Sequence, residues 1–397
     1  MYARLYRIGA AALAVALIAG GAVPAPAPTV ELVDSIYHIA ACPSPMGRHL
    51  ARCHARMVTD RMGRIFERRA MAATTPAGYG PADLRSAYAI TATGNPGTIV
   101  AIVDAYGYPN AENDLAVYRA TYGLPPCTSA SGCFTKYNQS GVKGPYPRQY
   151  MGWARETALD LDMASAMCPG CKLILVEANT NADANLGASV AMAATLGAHV
   201  ISNSYGDAEA GSTAYAAYYD QPGVAVIASS GDAGYGVEFP AASPKVIAVG
   251  GTTLKRSATS ARGWTETAWK GAGSGCSAVY PKPAWQTDTG CANRMVTDVS
   301  AVSSPSSGVA VYGPATGGGS AWAVMAGTSV AAPLIGGIYA VNGGAVNQGS
   351  DPYAHLGDLY DVISGNNGAC SVTYYCTAGV GYDGPTGLGT PKGATAF

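Results

Sequence analysis

Charged side chains are scarce in this chain. They make up 12% of its 397 residues, and 24 Lys and Arg against 25 Asp and Glu leave a formal charge of -1. That scarcity removes the electrostatic footprint a nucleic acid or an anionic membrane surface would require. Histidine is scarcer still, with five in all, and only His199 lies between Asp104 and Ser329. Internal repeats and low-complexity tracts are absent. Beyond the N-terminal stretch there is no apolar run approaching the ~20 residues that a spanning helix needs. What remains is a chain with 48% apolar residues, long enough to bury a large core.

The N-terminal stretch has the three-part pattern of a secretory signal over residues 1–27. Arg4 and Arg7 precede an apolar run from Ile8 to Val23, and small residues follow. An exported, extracellular protein is expected, with no membrane association after signal removal. The ten cysteines agree with export, since they fall into close pairs: Cys42/Cys53, Cys127/Cys133, Cys168/Cys171, Cys276/Cys291 and Cys370/Cys376. Short disulfides pinning surface loops are the natural reading. Cys168-Pro-Gly-Cys171 also has redox-dithiol spacing, but it ends a helix-like stretch rather than opening a thioredoxin-like unit. No second close Cys or His pair stands at finger-like spacing, which argues against zinc.

Residues 28–75 read as a short leader, with charged, helix-like sequence in ARCHARMVTDRMGRIFERRAMAA. From residue 76 to 397 the pattern becomes regular. Apolar runs (TIVAIVDAYG, KLILVEAN, HVISNSYG, VAVIASSGDAG, KVIAVGGTT) alternate with helical stretches (AENDLAVYRATYG, ETALDLDMASAM, ADANLGASVAMAATLG). Near-continuous apolar strands separated by helices predict a parallel sheet covered on both faces, with ligands gathered at the carboxyl ends of the strands.

Gly327-Thr-Ser329-Val-Ala-Ala-Pro333 precedes an apolar helix-like segment. Ser329 is thereby predicted at a helix N-terminus, where outward N–H groups can stabilise an oxyanion. Pro333 is expected within the first turn, where its missing N–H costs little. A serine hydroxyl needs a base, however. His199 enters a strand directly and reads as a hydrogen-bonded packing residue, Asp104 reads as a strand-end structural residue, and His38, His49, His54 and His355 lie in the leader or after the nucleophile. An imidazole base is thus nearly excluded.

Carboxylates are the other possibility. Glu156 and Asp160 stand four apart on a predicted helix and share one face, while Asp162 points elsewhere as a solvated or capping acid. Two like charges so placed repel, unless a shared proton lets one act as base while the other orients it. Asp232 follows a buried strand in the glycine-bordered turn Ser-Gly-Asp-Ala-Gly.

The GTS-x-A-A-P stretch is similar to the nucleophile motif of the subtilisins and the sedolisins. The E-x-x-L-D helix, the S-G-D-x-G turn, GYGPADLRSAYAI, FPAASPKVIAVGGTTL and RMVTDVSAV resemble the sedolisins, the serine-carboxyl peptidases. The resemblance implies a subtilisin-like three-layer α/β/α fold with a mostly parallel central sheet. It implies Ser329 as nucleophile, Glu156 as base, Asp160 as its partner and Asp232 as a protonated oxyanion donor. It also implies one structural Ca²⁺ held by Asp361 and Asp383 with the carbonyls of Val362, Gly379 and Gly381, where glycines let the backbone wrap a hard cation. A monomeric, acid-acting endopeptidase on polypeptide substrates is expected. A non-catalytic binding protein on the same fold is the alternative.

Overall fold

A computed structural model describes residues 29–69, 76–343 and 346–397; the signal expected over 1–27 lies outside them. The predicted apolar runs form strands of one eight-stranded sheet. Its order is Trp264–Ala268, Ile247–Arg256, Ala225–Ser229, Val200–Asn203, Ile99–Ala105, Lys172–Ala178 and Phe134–Asn138, with Val299–Val302 also paired to Ile247–Arg256. All these pairs are parallel except Ile247–Arg256 with Trp264–Ala268. The reason is visible in one strand. Val100 and Ile102 of Ile99–Ala105 enter one core, Ala101 and Val103 enter the other, and a strand buried on both faces has no polar side to alternate with.

Helices Ala111–Thr121, Met151–Met167 and Thr328–Asn342 contribute to the first core, and Asp183–Thr195 to the second, giving the expected three layers. Helix Met151–Met167 is almost wholly buried, although it carries the acids Glu156, Asp160 and Asp162. It packs on helix Thr328–Asn342 at close range, because Gly337 lies where a Cβ would come within 2.6 Å of Met167 Cβ. That close approach sets the distance between the two acids on one helix and the serine on the other. Pro333 sits deeper than its sequence suggests: the helix starts at Thr328, so the proline is inside it rather than in the first turn. All five expected cysteine pairs are disulfides.

The leader departs most from expectation. Among its described residues there is no helix, but strands at Glu31–Val33, Ile36–Ala40, Arg52–Cys53 and Arg56–Thr59. Helical propensity is worth tenths of a kcal/mol per residue, roughly, and partner strands override it. Arg56 and Met57 pair antiparallel with Ala326 and Met325, immediately before the nucleophile, while Arg52 and Cys53 pair with Gly206 and Tyr205. The leader therefore runs through the middle of the molecule's functional end. No helix among the described residues is long and apolar enough to cross a membrane.

Candidate active site

The carboxyl ends of three neighbouring strands converge on the space between the two helices. Asp104 closes Ile99–Ala105, Ser204 follows Val200–Asn203, and Asp232 follows Ala225–Ser229. Glu156 and Asp160 enter from helix Met151–Met167, and Ser329 is the second residue of its helix. Glu156, Asp160 and Ser329 are all fully buried.

Burial raises the Glu156 carboxyl well above the ordinary range, and the nearby Asp104 charge adds to the rise. The Asp160 carboxyl is raised in the same way, by burial and then by Asp104 and Glu156. Three acids in one dry space cannot all ionise. Glu156 Oε2 accepts from the Ala55 N–H at 2.8 Å, and Asp160 Oδ1 accepts from Ser204 Oγ at 2.8 Å. The Ser329 hydroxyl lies close enough to Glu156 to oppose the rise of that carboxyl. Its directed hydrogen bond runs instead to the Ser204 carbonyl at 3.4 Å, which leaves Glu156 Oε1 without an aligned partner. A hydroxyl with a long, weak bond beside a half-used carboxyl is free to swing onto it.

Asp232 is almost fully buried and here serves as an acceptor. Its Oδ1 takes hydrogen bonds from the N–H of Thr328 at 2.8 Å and from Thr328 Oγ1 at 2.9 Å, and its Oδ2 takes one from Arg56 Nε at 3.1 Å. Arg56 Nη2 also donates to the Asp232 carbonyl at 2.7 Å. Gly327 faces the same space, with φ +104; a Cβ there would meet the His54 carbonyl oxygen at 1.9 Å and Asp232 Oδ2 at 2.7 Å.

A family model described as Subtilase family matches residues 84–352. The chain belongs to that family. Within it this subtilase belongs with the sedolisins. It is 30% identical over 423 residues to kumamolisin of Bacillus sp. (strain MN-32), covering 94% of this chain and 71% of the relative. It is 27% identical over 394 residues to sedolisin of Pseudomonas sp. (strain 101), covering 86% and 64%. The structure of Pseudomonas sedolisin, a serine-carboxyl proteinase complexed with two molecules of pseudo-iodotyrostatin, superposes with a TM-score of 0.68 at 27% identity, covering 80% of this chain and 96% of that one. This subtilase is a serine-type endopeptidase of the sedolisin group, on a subtilisin-like fold.

The subtilase's C-terminal acids lie far from this cluster in sequence. Asp361 Oδ2 accepts from the Gly381 N–H at 2.8 Å, and Asp383 Oδ2 from the Gly379 N–H at 3.0 Å. Asp383 Oδ1 accepts from the N–H and the hydroxyl of Thr386, each at 2.9 Å, and the Val362 carbonyl accepts from Thr386 Oγ1 at 3.5 Å. Burial pushes the Asp383 carboxyl up to about 7 against those donors, and Asp361 adds to the rise. Among the described residues no Lys, Arg or His forms an ion pair with either acid. Two neighbouring carboxylates without a cationic partner, one of them buried, fit a hard divalent cation.

Three acids and a histidine fall elsewhere than their sequence context suggests. Asp104 is no mere strand end: it is fully buried beside Glu156 and Asp160, neither oxygen has an aligned partner, and burial brings it to about 7. Asp162 is not solvated but buried, with Oδ2 accepting from the Tyr312 N–H at 2.9 Å. Glu238, which no motif marked, meets His54 Nε2 at 2.8 Å, while His54 Nδ1 meets Ser229 Oγ at 2.7 Å. His54 is thus inside the cleft, though both ring nitrogens are engaged away from Ser329. His199 makes the expected hydrogen bond, accepting from the Ile99 N–H at 3.2 Å, but it is exposed rather than packed.

Proposed function

We propose that this subtilase hydrolyses peptide bonds through Ser329, Glu156, Asp160 and Asp232. Ser329 attacks the scissile carbonyl and passes its proton to Glu156, which returns it to the leaving amine. Asp160 orients Glu156 and shares its charge. Asp232 and the Ser329 N–H stabilise the oxyanion. The observation that carries this reading is the N–H of Ala55 donated to Glu156 Oε2 at 2.8 Å, since the acid that receives a proton must also reach the departing nitrogen. Asp232 accepts from Arg56 and Thr328 beside Gly327, which supports its place next to the oxyanion. A carboxyl base in place of an imidazole supports activity on the acid side.

Ser329→Ala and Glu156→Ala should each lower kcat/KM on denatured casein at about pH 4 by at least ~10⁴-fold. Residual turnover near wild type in either variant removes the mechanism.

Calcium completes the proposal. Asp361 and Asp383 with the carbonyls of Val362, Gly379 and Gly381 would hold one ion, which supplies positive charge to two neighbouring carboxylates and pins the C-terminal loops. The rest of the reading is a signal over 1–27, a leader over 28–75, a peptidase domain over 76–397, and a monomer acting outside the cell.

A further inference from the structure

Apart from the catalytic acids, three distant segments bring one imidazole and two carboxylates together. His49 belongs to the leader, Asp183 is the first residue of helix Asp183–Thr195, and Asp207 lies on strand Tyr205–Ala208. One donor atom of each lies within 4.8 Å of the other two. The backbone fixes this meeting. The Asp183 N–H donates to the His49 carbonyl at 3.0 Å, the Ala51 N–H to the Asn181 carbonyl at 2.8 Å, and Asn181 Nδ2 to the Ala51 carbonyl at 2.7 Å. Two neighbours flank the imidazole. A Cβ on Gly211 would come within 3.0 Å of His49 Cε1, and the Tyr215 ring centroid stands 5.4 Å from that of His49.

An unused buried oxygen sets this cluster apart from an ordinary acidic surface. Asp183 is only 3% exposed, and its Oδ2 has no hydrogen-bond partner. That oxygen stands 3.4 Å from His49 Nδ1, which is likewise enclosed without an aligned partner. Burial pushes the Asp183 carboxyl up to about 6, and Asp207 adds to the rise while His49 opposes it. Among the described residues neither Asp183 nor Asp207 pairs with a Lys or Arg. Arg52 borders the same groove as Asp207, but its guanidinium is engaged by Glu238 at 3.0 Å. A buried carboxylate oxygen left bare is costly unless a cation meets it.

We propose that His49 Nδ1, Asp183 Oδ2 and a carboxylate oxygen of Asp207 bind one Zn²⁺ ion, which clips the leader to the helix and the strand beneath it. One nitrogen and two carboxylates suit a borderline divalent ion, whereas Ca²⁺ takes six or more oxygens and has no use for an imidazole. The charges balance, since two carboxylates and a neutral imidazole meet a divalent cation. Donors on a tetrahedral zinc at about 2.1 Å stand roughly 3.4 Å apart, which His49 and Asp183 already match. Asp207, half-buried at the edge of a groove of ≈ 370 Å³, can rotate to close the remainder, and the groove gives the ion a path in and room for water as fourth ligand. Finger-like spacing does not mark this site, because the fold assembles it from residues 49, 183 and 207. The inference goes beyond the catalytic reading and does not depend on it.

The full chain, without its signal, is prepared as Ser329→Ala so that nothing is cut during the measurement, stripped of metal, and titrated with Zn²⁺ at about pH 7 in excess Ca²⁺. The excess keeps the C-terminal acids from competing. Calorimetry should find one Zn²⁺ per chain, and the unfolding temperature should rise by about 4 °C at roughly 100 times Kd. His49→Ala, Asp183→Asn and Asp207→Asn, each confirmed folded by its unfolding temperature without Zn²⁺, should weaken that binding by about 10-fold or more and leave the response to Ca²⁺ intact. Co²⁺ in place of Zn²⁺ should give a visible absorption that His49→Ala alters, because the spectrum reports the nitrogen ligand. No Zn²⁺ uptake in excess Ca²⁺ would make the cluster an ion pair or a hard-ion site and overturn the inference. Uptake that survives all three substitutions belongs to other side chains and overturns it equally. Neither result bears on Ser329 or Glu156.

Discussion

Asp104 shows how much a single buried charge can set. It touches no substrate atom in this arrangement, yet its negative charge raises both Glu156 and Asp160. A base must be ionised to take the serine proton, so the acid limb of the pH profile tracks Glu156. Asp104 itself titrates at about 7, so its charge appears only as pH rises towards neutrality, and Asp104→Asn should alter the profile there while leaving the acid limb in place. A pH profile of kcat/KM on one peptide measures it; an acid limb moved by about one unit would show that Asp104 is already charged at acid pH. Residues of this kind divide the legible from the hidden. Glu156 and Asp160 could be paired from the sequence because four-residue spacing on a helix fixes a shared face. Ser329 was marked by its neighbours. His54 could not be placed, because its meaning comes from Ser229 and Glu238, which are 175 and 184 residues away. Asp104 read as a strand-end structural acid and Asp162 as a solvated or capping one, since a carboxylate carries no local sign of being enclosed.

At the scale of elements, strands and helices of the central layers were readable because each repeats its own period over many residues. The leader was not, for its strands are short and exist through partners elsewhere. Arg56–Thr59 draws its hydrogen bonds from Ile36–Ala40 on one side and Ser320–Ala326 on the other. The C-terminal loops pose a separate test. If a cation bridges Asp361 and Asp383, then chelation in a folded sample should lower the unfolding temperature. Saturation at about 100 times Kd contributes roughly 2.7 kcal/mol, a shift of about 4 °C for a domain of this size. Asp383→Asn should remove the response to added Ca²⁺. An unfolding temperature indifferent to both would rule out the ion.

For the whole molecule, the buried acids give stability a direction in pH. Asp104 moves from an ordinary 3.8 to about 7 on folding, with burial the main cause, and Glu156 and Asp160 move the same way. The native state then holds protons that the unfolded chain has lost. The contribution is complete below about pH 4 and disappears as pH climbs towards and through 7, worth roughly 4 kcal/mol for a three-unit shift. Glu238 works oppositely: lowered from 4.5 to about 2, it stabilises above the first value and its contribution fades as pH falls through the second. Calorimetry across pH should find the highest unfolding temperature at about pH 4–5 and a decline towards neutrality. A protein more robust at pH 7.5 than at 4.5 would contradict the cluster as described.

The Cys42–Cys53 bridge closes a ring wholly on the N-terminal side of Ala55, and the other four bridges join residues from Cys127 onward. No covalent tether ties the front of the leader to the body except the backbone itself. If the backbone were interrupted between Cys53 and Cys127, the front fragment would stay looped and could leave without a reductant, restrained by strand pairing, ion pairs and the buried packing of Ile39, Cys42, Ala51 and Cys53.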